Sequence, residues 1–362
     1  MQPWELGPFS KHDDVNPILL PREDTTFRCP LQGKAVRWEE KDVFNPAAVV
    51  NGDKVCLLYR AEDTVGCFAG TSRIGLATSS DGLHFERHPE PVLYPDHDGF
   101  DHLEWEGGCE DPRVVESADG TYVMTYTAVG TDDLMHARLC IATSRDLLTW
   151  TKHGQAFGRA MGGRFKDLWS KAGSIVCQRE ANRLVAVRIN GLYWMYWGES
   201  DIYLATSEDL INWTPVETTN EIYRTWAPNG RGESRKGPAY VLPVMMRRDH
   251  RYDSGLVEPG PPAVLTEHGI VFLHNASNGG PTADPALSLR SYSAGQALFD
   301  AQDPRCLLAR NVRPFFSATM PYEITGQFGN TTFIEGLVYF NGRWLLYYGT
   351  ADSRIAVASC PA

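Results

Sequence analysis

The sequence predicts an all-β protein, a five-bladed β-propeller. Three observations lead there. One phrase recurs along the chain, its flanks alternate apolar and polar residues, and no amphipathic helix pattern interrupts them. The phrase is "IGLATSSDGLHFERH" from Ile74, "LCIATSRDLLTWTKHG" from Leu139 and "IYLATSEDLINWTPV" from Ile202. A weaker copy, "YSAGQALFDAQDP", starts at Tyr292, and a truncated one, "RIAVASCP", ends the chain. The repeated alanines Ala77, Ala142, Ala205, Ala297 and Ala358 are 65, 63, 92 and 61 residues apart. Self-similarity at such a period is the mark of a repeat architecture.

Each unit has one grammar. A strand such as "KVCLLYRAED" precedes the "ATS" strand, then a Ser–Asp turn, then a short strand ending in an aromatic. Five sheets of about four strands follow. The terminal "RIAVAS" is expected to share a sheet with the N-terminal segment and so close the ring. The Ser–Asp–aromatic phrase reads as a turn with a packed ring, repeated because the units are alike. The whole chain, 1–362, is read as one domain with a long inserted segment at Glu217–Ser254, rich in charge, Gly and Pro. A loop of that length is usually functional or disordered. It would suit a lid, or a contact between copies in a homo-oligomer.

Composition narrows the partners. Net charge is -11 and no basic run stands out, which argues against nucleic acid. No apolar run reaches the roughly 20 residues of a membrane helix. The start, "MQPWELGPFSKHDD", has neither a basic nor an apolar leader region. The eight cysteines show no CxxC or metal-type spacing, and several lie in strand-like runs. They read as reduced, and the protein as cytoplasmic. The ten His form no HxH or HExxH pattern, and no GxSxG or glycine-rich phosphate loop appears, so neither metal nor cofactor is expected. Aromatic residues make up 11%, which suits β-structure and stacking on sugar rings alike.

In a propeller the first strands of all blades converge on an axial funnel, and polar residues at their ends are the site candidates. They are Asn45 in "FNPAAV", Arg60 and Asp63 in "LLYRAED", and Glu110, Asp111 and Arg113 in "WEGGCEDPRVVE". Lys171, Glu199, Glu258, Glu335 and Asp352 follow in "WSKAGSIV", "WGESD", "LVEPGPPAV", "FIEGLVYF" and "YYGTADSRIAVA". Each has a plainer reading. Asp111 before Pro112 is a common turn, Glu258 before Pro259 a common loop start, and the arginines are ordinary partners of buried acids. Their recurrence at equivalent places favours a site. Converging acids with aromatics suggest glycoside chemistry, in which one carboxyl donates a proton and another activates water or attacks.

These segments resemble glycoside hydrolase family 130, the mannoside phosphorylase and β-1,2-mannosidase family. The resemblance rests on "FNPAAVVNGDKVCLLYRAED", "GGCEDPRVVE", the "ATSxDLxxW" copies, "PGPPAVLTEHGIVFLHN" and "LLYYGTADSRIAVA". It implies a five-bladed propeller acting on a β-mannoside oligosaccharide. It implies that Asp111 is the acid, protonating the leaving oxygen through a sugar hydroxyl, and that Asn45, Arg60 and Asp352 grip the mannose. Phosphorylase members hold phosphate with cations, some at the end of a segment of the form "INGKYVMLHRP". Here the match is "INGLYWMYWGE", with Trp197 and Gly198 where His and Arg would stand. Lys171 and Arg138 would be remnants of that site. The resemblance is nearer to the hydrolase members, in which two glutamates take the place of the phosphate site. These match Glu199 and Glu258, with Trp194 and Trp197 expected to desolvate Glu199 and Glu335 as a third candidate that binds substrate. The implied reaction is inverting hydrolysis of β-1,2-mannosides, with phosphorolysis and non-catalytic sugar binding as the alternatives.

Overall fold

The computed structural model describes residues 1–65, 70–131, 135–219 and 240–361. Strands hold 49% of the chain and helices 4%, so the fold is all-β. Its described α-helices, Asp101–Glu104 and Pro321–Ile324, have one turn each. No described helix is long and apolar enough to cross a membrane.

The strands pair as five antiparallel meanders, one per repeat. The first runs Asp42–Asn51, Lys54–Glu62, Ser72–Ser79 and Glu86–Arg87. The second runs Glu106–Glu116, Tyr122–Gly130, His136–Ser144 and Thr151–Gln155. In the third, Gly173–Glu180 pairs at its start with Leu192–Trp197, followed by Ile202–Ser207 and Trp213–Pro215. In the fourth, Leu256–Pro259 and Ala263–Thr266 share the partner Gly269–Ser277, then come Tyr292–Phe299 and Leu307–Arg310. The fifth is Thr332–Phe340, Arg343–Thr350 and Arg354–Pro361. Its fourth strand comes from the other end of the chain. Ser10 pairs with Ser359 and Lys11 with Ala358. The terminal "RIAVAS" therefore shares its sheet with the N-terminal segment, as the sequence predicts.

The "ATS" strand, or its weaker copy, is third in every sheet, and in the first three sheets the turn after it is built alike, with Ser79 and Asp81 holding the first. Leu147 N–H donates to Ser144 Oγ, and Leu148 and Thr149 N–H donate to Asp146 Oδ1, at 2.7–2.9 Å. Ser207 and Asp209 do the same for Leu210, Ile211 and Asn212. The aromatic closes the turn, since Trp150 and Trp213 donate their indole N–H to Leu147 O and Leu210 O, both at 3.0 Å. Short polar side chains that satisfy their own turn backbone explain the repetition.

A second repeat is invisible in the phrase. In three sheets a tyrosine on the second strand donates to a buried glutamate in the connection that leads into the sheet. The pairs are Tyr59–Glu39, Tyr126–Glu104 and Tyr348–Glu323, at 2.8–2.9 Å. A cation from the fourth strand completes each one. Arg87 reaches Glu39 at 2.7 Å, Lys152 reaches Glu104 at 2.6 Å and Lys11 reaches Glu323 at 2.7 Å. All three glutamates are fully buried. A buried carboxylate is tolerated when paired and hydrogen-bonded.

Consecutive sheets are fastened together. Ser72 pairs with Gly108, Val185 with Glu116, and Val176–Gln178 with Ala263–Leu265, all in parallel. Asn275 on the fourth sheet bonds both the N–H and the carbonyl of Ile334 on the fifth, at 2.7 and 3.0 Å. The fifth meets the first at Gly336, where a Cβ would stand 2.8 Å from Pro46 O, so only glycine permits the approach. The inserted segment rejoins the third sheet at Pro243–Met245, beside Ile202 and Tyr203. Residues 220–239 of that segment, with Trp226, lie outside the described residues.

Lys11 carries the closure. Its ammonium donates to Ser317 O and Thr319 Oγ1 at 2.9 Å as well as to Glu323. Lys11→Met leaves the buried Glu323 without its cation, held only by the Tyr348 hydroxyl and the Thr319 and Met320 N–H groups, a change that costs about 3 kcal/mol. Urea unfolding should show that loss, while Lys34→Met, at an exposed site, leaves the midpoint in place.

Candidate active site

The first strands of the first and fifth sheets break register once, and that of the second breaks it twice. The residues skipped by the pairing are Asn45, Gly107, Asp111 with Pro112, and Glu335. An extra residue in a strand re-aims its side chain out of the alternation. Asn45 and Asp111 adopt left-handed backbone, φ 47° and 49°, and so do Ala172, just before the third sheet, and Asp352, both at φ 49°. Such conformations are costly for these residues and collect at functional sites. In the fourth sheet Gly260–Pro262 interrupts the first strand directly after Glu258 and Pro259. Every sheet thus delivers a polar group at an irregularity.

The first two sheets form a hydrogen-bonded set around Asp111. Asn45 Nδ2 donates to Asp111 Oδ1 at 2.9 Å, and Arg60 Nη1 donates to the same oxygen at 3.2 Å. Arg60 also donates to Glu62 at 2.7 Å, Glu110 at 2.9 Å and Ser72 Oγ at 2.9 Å. Its guanidinium lies 4.6 Å from the Phe44 ring centre. Burial is the largest influence on the Asp111 carboxyl and pushes it up. Arg60, Lys171, Arg113 and the Asn45 amide together outweigh it and hold Asp111 down at about 2. Asp352 goes the other way, raised to about 7 by burial against the pull of Arg60. Burial raises Glu110 as well, against Arg60 and Lys171.

Arg113 is spent on structure. Its guanidinium donates to Gly260 O at 2.9 Å, Pro259 O at 2.6 Å and Asp111 O at 3.0 Å. Glu335 Oε1 lies 2.9 Å from Nη2, with side-chain exposures of 1% and 0%. No N–H points squarely at that carboxyl, and both its oxygens lack a hydrogen-bond partner. Burial drives Glu335 well above the usual range despite Arg113.

The third and fourth sheets bring the other carboxyls. Gly198 N–H bonds Lys171 O at 3.0 Å, and Val257 N–H bonds Ser200 O at 3.1 Å. These two bonds set Glu199 beside Lys171 and lock its turn to the strand that carries Glu258. Glu199 is half-buried, and its Oε2 accepts the indole N–H of Trp169 at 2.9 Å. Glu258 is buried and raised to about 8, by burial first and then by Glu199 and Asp111, against Lys171 and Arg113. The Lys171 ammonium is 3.8 Å from Glu110. Burial opposes its charge, yet Glu199, Glu110, Asp111 and Glu258 together raise it and keep it a cation. Glu258, Glu199 and Asp352 also act on the Tyr292 hydroxyl, which burial raises first.

The structure brings together Asn45, Arg60, Glu110, Asp111, Arg113, Lys171, Glu199, Glu258, Glu335 and Asp352. Three expected residues stand elsewhere. Asp63 is fully buried in an ion pair with Arg73, 2.7 Å, and caps the Val65 and Thr71 N–H groups. Strand alternation explains this, for Glu62 is the neighbour that shares a face with Arg60. Arg138 bonds the carbonyls of Lys166 and Ala137. Trp197 has no exposed surface and packs on Phe157 and Tyr203, so it offers no face to a sugar. Glu335 is equally closed to direct contact. The indole on Glu199 belongs to Trp169, a residue the sequence reading passed over. Its position two before Lys171 was the available signal.

The described cluster sets seven carboxyl groups, Glu62, Glu110, Asp111, Glu199, Glu258, Glu335 and Asp352, against the three cations Arg60, Arg113 and Lys171. Neighbouring acids driven to opposite protonation states are the equipment of glycosidic-bond chemistry. The protein belongs to glycoside hydrolase family 130, whose model, described as beta-1,4-mannooligosaccharide phosphorylase, matches residues 11–362. A 1,2-beta-oligomannan phosphorylase of Thermoanaerobacter sp. (strain X514) is 28% identical over 94% of both chains. A solved glycosyl hydrolase from Bacteroides ovatus is 43% identical with a TM-score of 0.91, over 100% of this chain and 97% of that one. Another structure, 44% identical with a TM-score of 0.92 over 100% and 97%, carries the statement that the family of mannoside phosphorylases "contains glycoside hydrolases that target beta-1,2 mannosidic linkages in Candida mannan".

Glu258 sets a pH dependence. The folded protein keeps its proton up to about pH 8, whereas the unfolded chain releases it near 4.5. Between those values only the unfolded state gains the charge freely, so Glu258 subtracts stability as pH rises through the window. Glu258→Gln removes that loss. Unfolding midpoints from pH 5 to 9 should fall less steeply for the variant, with a gap of at least about 1 kcal/mol at pH 9.

Proposed function

We propose that this protein is an inverting glycoside hydrolase that releases mannose from β-1,2-linked mannosides, with the five sheets as the blades of a propeller and the acidic cluster in its central funnel. The observation that carries the reading is the turn at Gly198. Gly198 has φ 130°, and a Cβ there would stand 2.4 Å from Asp201 O. A phosphate-binding arginine has no room at this position without a rebuilt turn. The next side chain is a carboxylate, Glu199, and four carboxyls surround the one nearby ammonium, Lys171. An incoming phosphate dianion meets like charge there, and a neutral water does not. The relatives described as hydrolases, at 43–44% identity, support the same side.

The protonation states suggest the division of labour. Glu258, raised to about 8, keeps its proton at neutral pH and donates a hydrogen bond to the water. Glu199 takes the water proton as the base. The water oxygen bonds the anomeric carbon as the glycosidic C–O bond breaks on the opposite face. The leaving oxygen receives its proton from Asp111 through a sugar hydroxyl. Asp111, held at about 2 by its cations, first has to gain a proton. Substrate binding excludes water and so strengthens the influence that already pushes this carboxyl up. Arg60, Asn45 and Asp352 then orient the sugar.

Phosphorolysis is the second reading. It is favoured by the phosphorylase among the relatives and by Lys171, whose ammonium has its described ion pair only at 3.8 Å. The products separate the two. With β-1,2-mannobiose the hydrolase yields free mannose at a rate indifferent to phosphate. Mannose 1-phosphate formed only when phosphate is present would overturn the proposal. Within it, Glu199→Gln should lower kcat by at least about 10²-fold. Asp111→Asn should abolish turnover with the fold retained, and near-wild-type rates in either variant would remove its role.

A further inference from the structure

We propose that Trp169 is a positioning residue for Glu199. Its indole N–H ties down one carboxylate oxygen so that the other is presented to the attacking water. The inference rests on the hydrolase reading above and concerns how its base is held.

The bond is Trp169 Nε1 to Glu199 Oε2, 2.9 Å. Both of its ends are anchored by backbone. On the Trp169 side, the buried Ser170 receives Leu139 N–H on its hydroxyl at 2.9 Å, and its own N–H reaches Ala137 O at 3.2 Å. This fixes the segment to the second sheet. On the Glu199 side, Gly198 N–H and Ser200 O are both engaged, with Lys171 O and Val257 N. The hydrogen bond therefore joins two segments whose adjacent backbone is held, and it fixes the carboxylate at one of its oxygens.

The donor type matters. An indole N–H donates and cannot accept. It holds a carboxylate without competing for the proton that a base must take up. A hydroxyl in the same place would offer a lone pair and a second arrangement. The other groups acting around Glu199 are Lys171, Glu258 and Tyr292. Lys171 also answers to Glu110 and Asp111, and Glu258, which keeps its proton, offers no positive charge to hold Glu199. Trp169 is the group here with a directed bond to it. The ring is half-buried, so its substitution leaves the core intact.

Two measurements test this. In Trp169→Phe, kcat for mannobiose hydrolysis should fall about 10- to 100-fold, the worth of one hydrogen bond to a charged group, with KM within about twofold. In a Glu199→Ala background the same substitution should change nothing, because Trp169 acts only through that carboxylate. A loss carried by KM, or an equal loss in both backgrounds, would make Trp169 a sugar platform and overturn the proposal. The second measurement needs no turnover. The indole 1H–15N resonance that disappears in Trp169→Phe should shift on Glu199→Ala. An unmoved resonance would refute the bond itself, whereas a shifted one in a protein that makes mannose 1-phosphate would sink the hydrolase reading and leave the bond standing.

Discussion

The site depends on one buried guanidinium. Arg113 stands on the second sheet, bonds two carbonyls of the fourth and lies against a carboxyl of the fifth. A charge so completely withdrawn from water survives only when its donors are occupied. The fork of the guanidinium meets that demand with backbone oxygens. The carbonyl it takes from its own strand is that of Asp111, and those it takes from the fourth sheet follow Glu258 directly. The backbones beside two acids on different sheets are thus set by the same side chain. Lysine would supply the charge but not the planar fork, and the two strands would lose their common reference.

The acids divide into two populations by how they are paired. Glu39, Glu104 and Glu323 each own a tyrosine hydroxyl and a cation, and each knits one sheet together. The acids of the central cluster outnumber their cations. Burial therefore pushes the less compensated carboxyls up, Glu258 to about 8 and Glu335 well above the usual range, while Asp111, the most surrounded by positive charge, is held down at about 2. Competition for three cations separates carboxyls that are chemically alike. That separation lets one side of a site hold protons and the other accept them.

Much of this was legible in the chain, and the reasons differ by level. The repeat phrase carries its own turn chemistry, so the third and fourth strands and the period could be read from Ser, Asp and Trp alone. The closing pair Ser10–Ser359 followed from the truncated last copy. The irregularities were harder. A one-residue bulge at Asn45 or Glu335 leaves no composition signal, yet it decides which way the side chain points. Alternation was the neglected guide at Asp63, where Glu62 shares the Arg60 face. At "WMYW" proximity in sequence to Glu199 misled. Trp197 lies next to the carboxylate along the chain but on the core side of its strand, whereas Trp169 arrives from a separate segment. Of the glutamates paired with tyrosines, Glu39 and Glu104 keep the 65-residue spacing of Ala77 and Ala142, but Glu323 lies off that offset and the phrase itself does not contain them.

The turn after Trp197 shows why a change of nucleophile in such a site would be a matter of backbone and not of one side chain. Gly198 takes a conformation that L side chains avoid, and Asp201 O fills the space where a Cβ would go. Its N–H is bound to the segment that carries Lys171 and Trp169, and Ser200 O is bound to the strand that carries Glu258. Placing a cation at 198 would disturb all of these at once. It would move Glu199 away from its indole, detach the third sheet from the fourth and bring a charge toward Lys171, which already holds one. On the reading proposed, an ancestral phosphate pocket could not be recovered by restoring one arginine. On that reading water stays the nucleophile because of a network in which each member fixes the next.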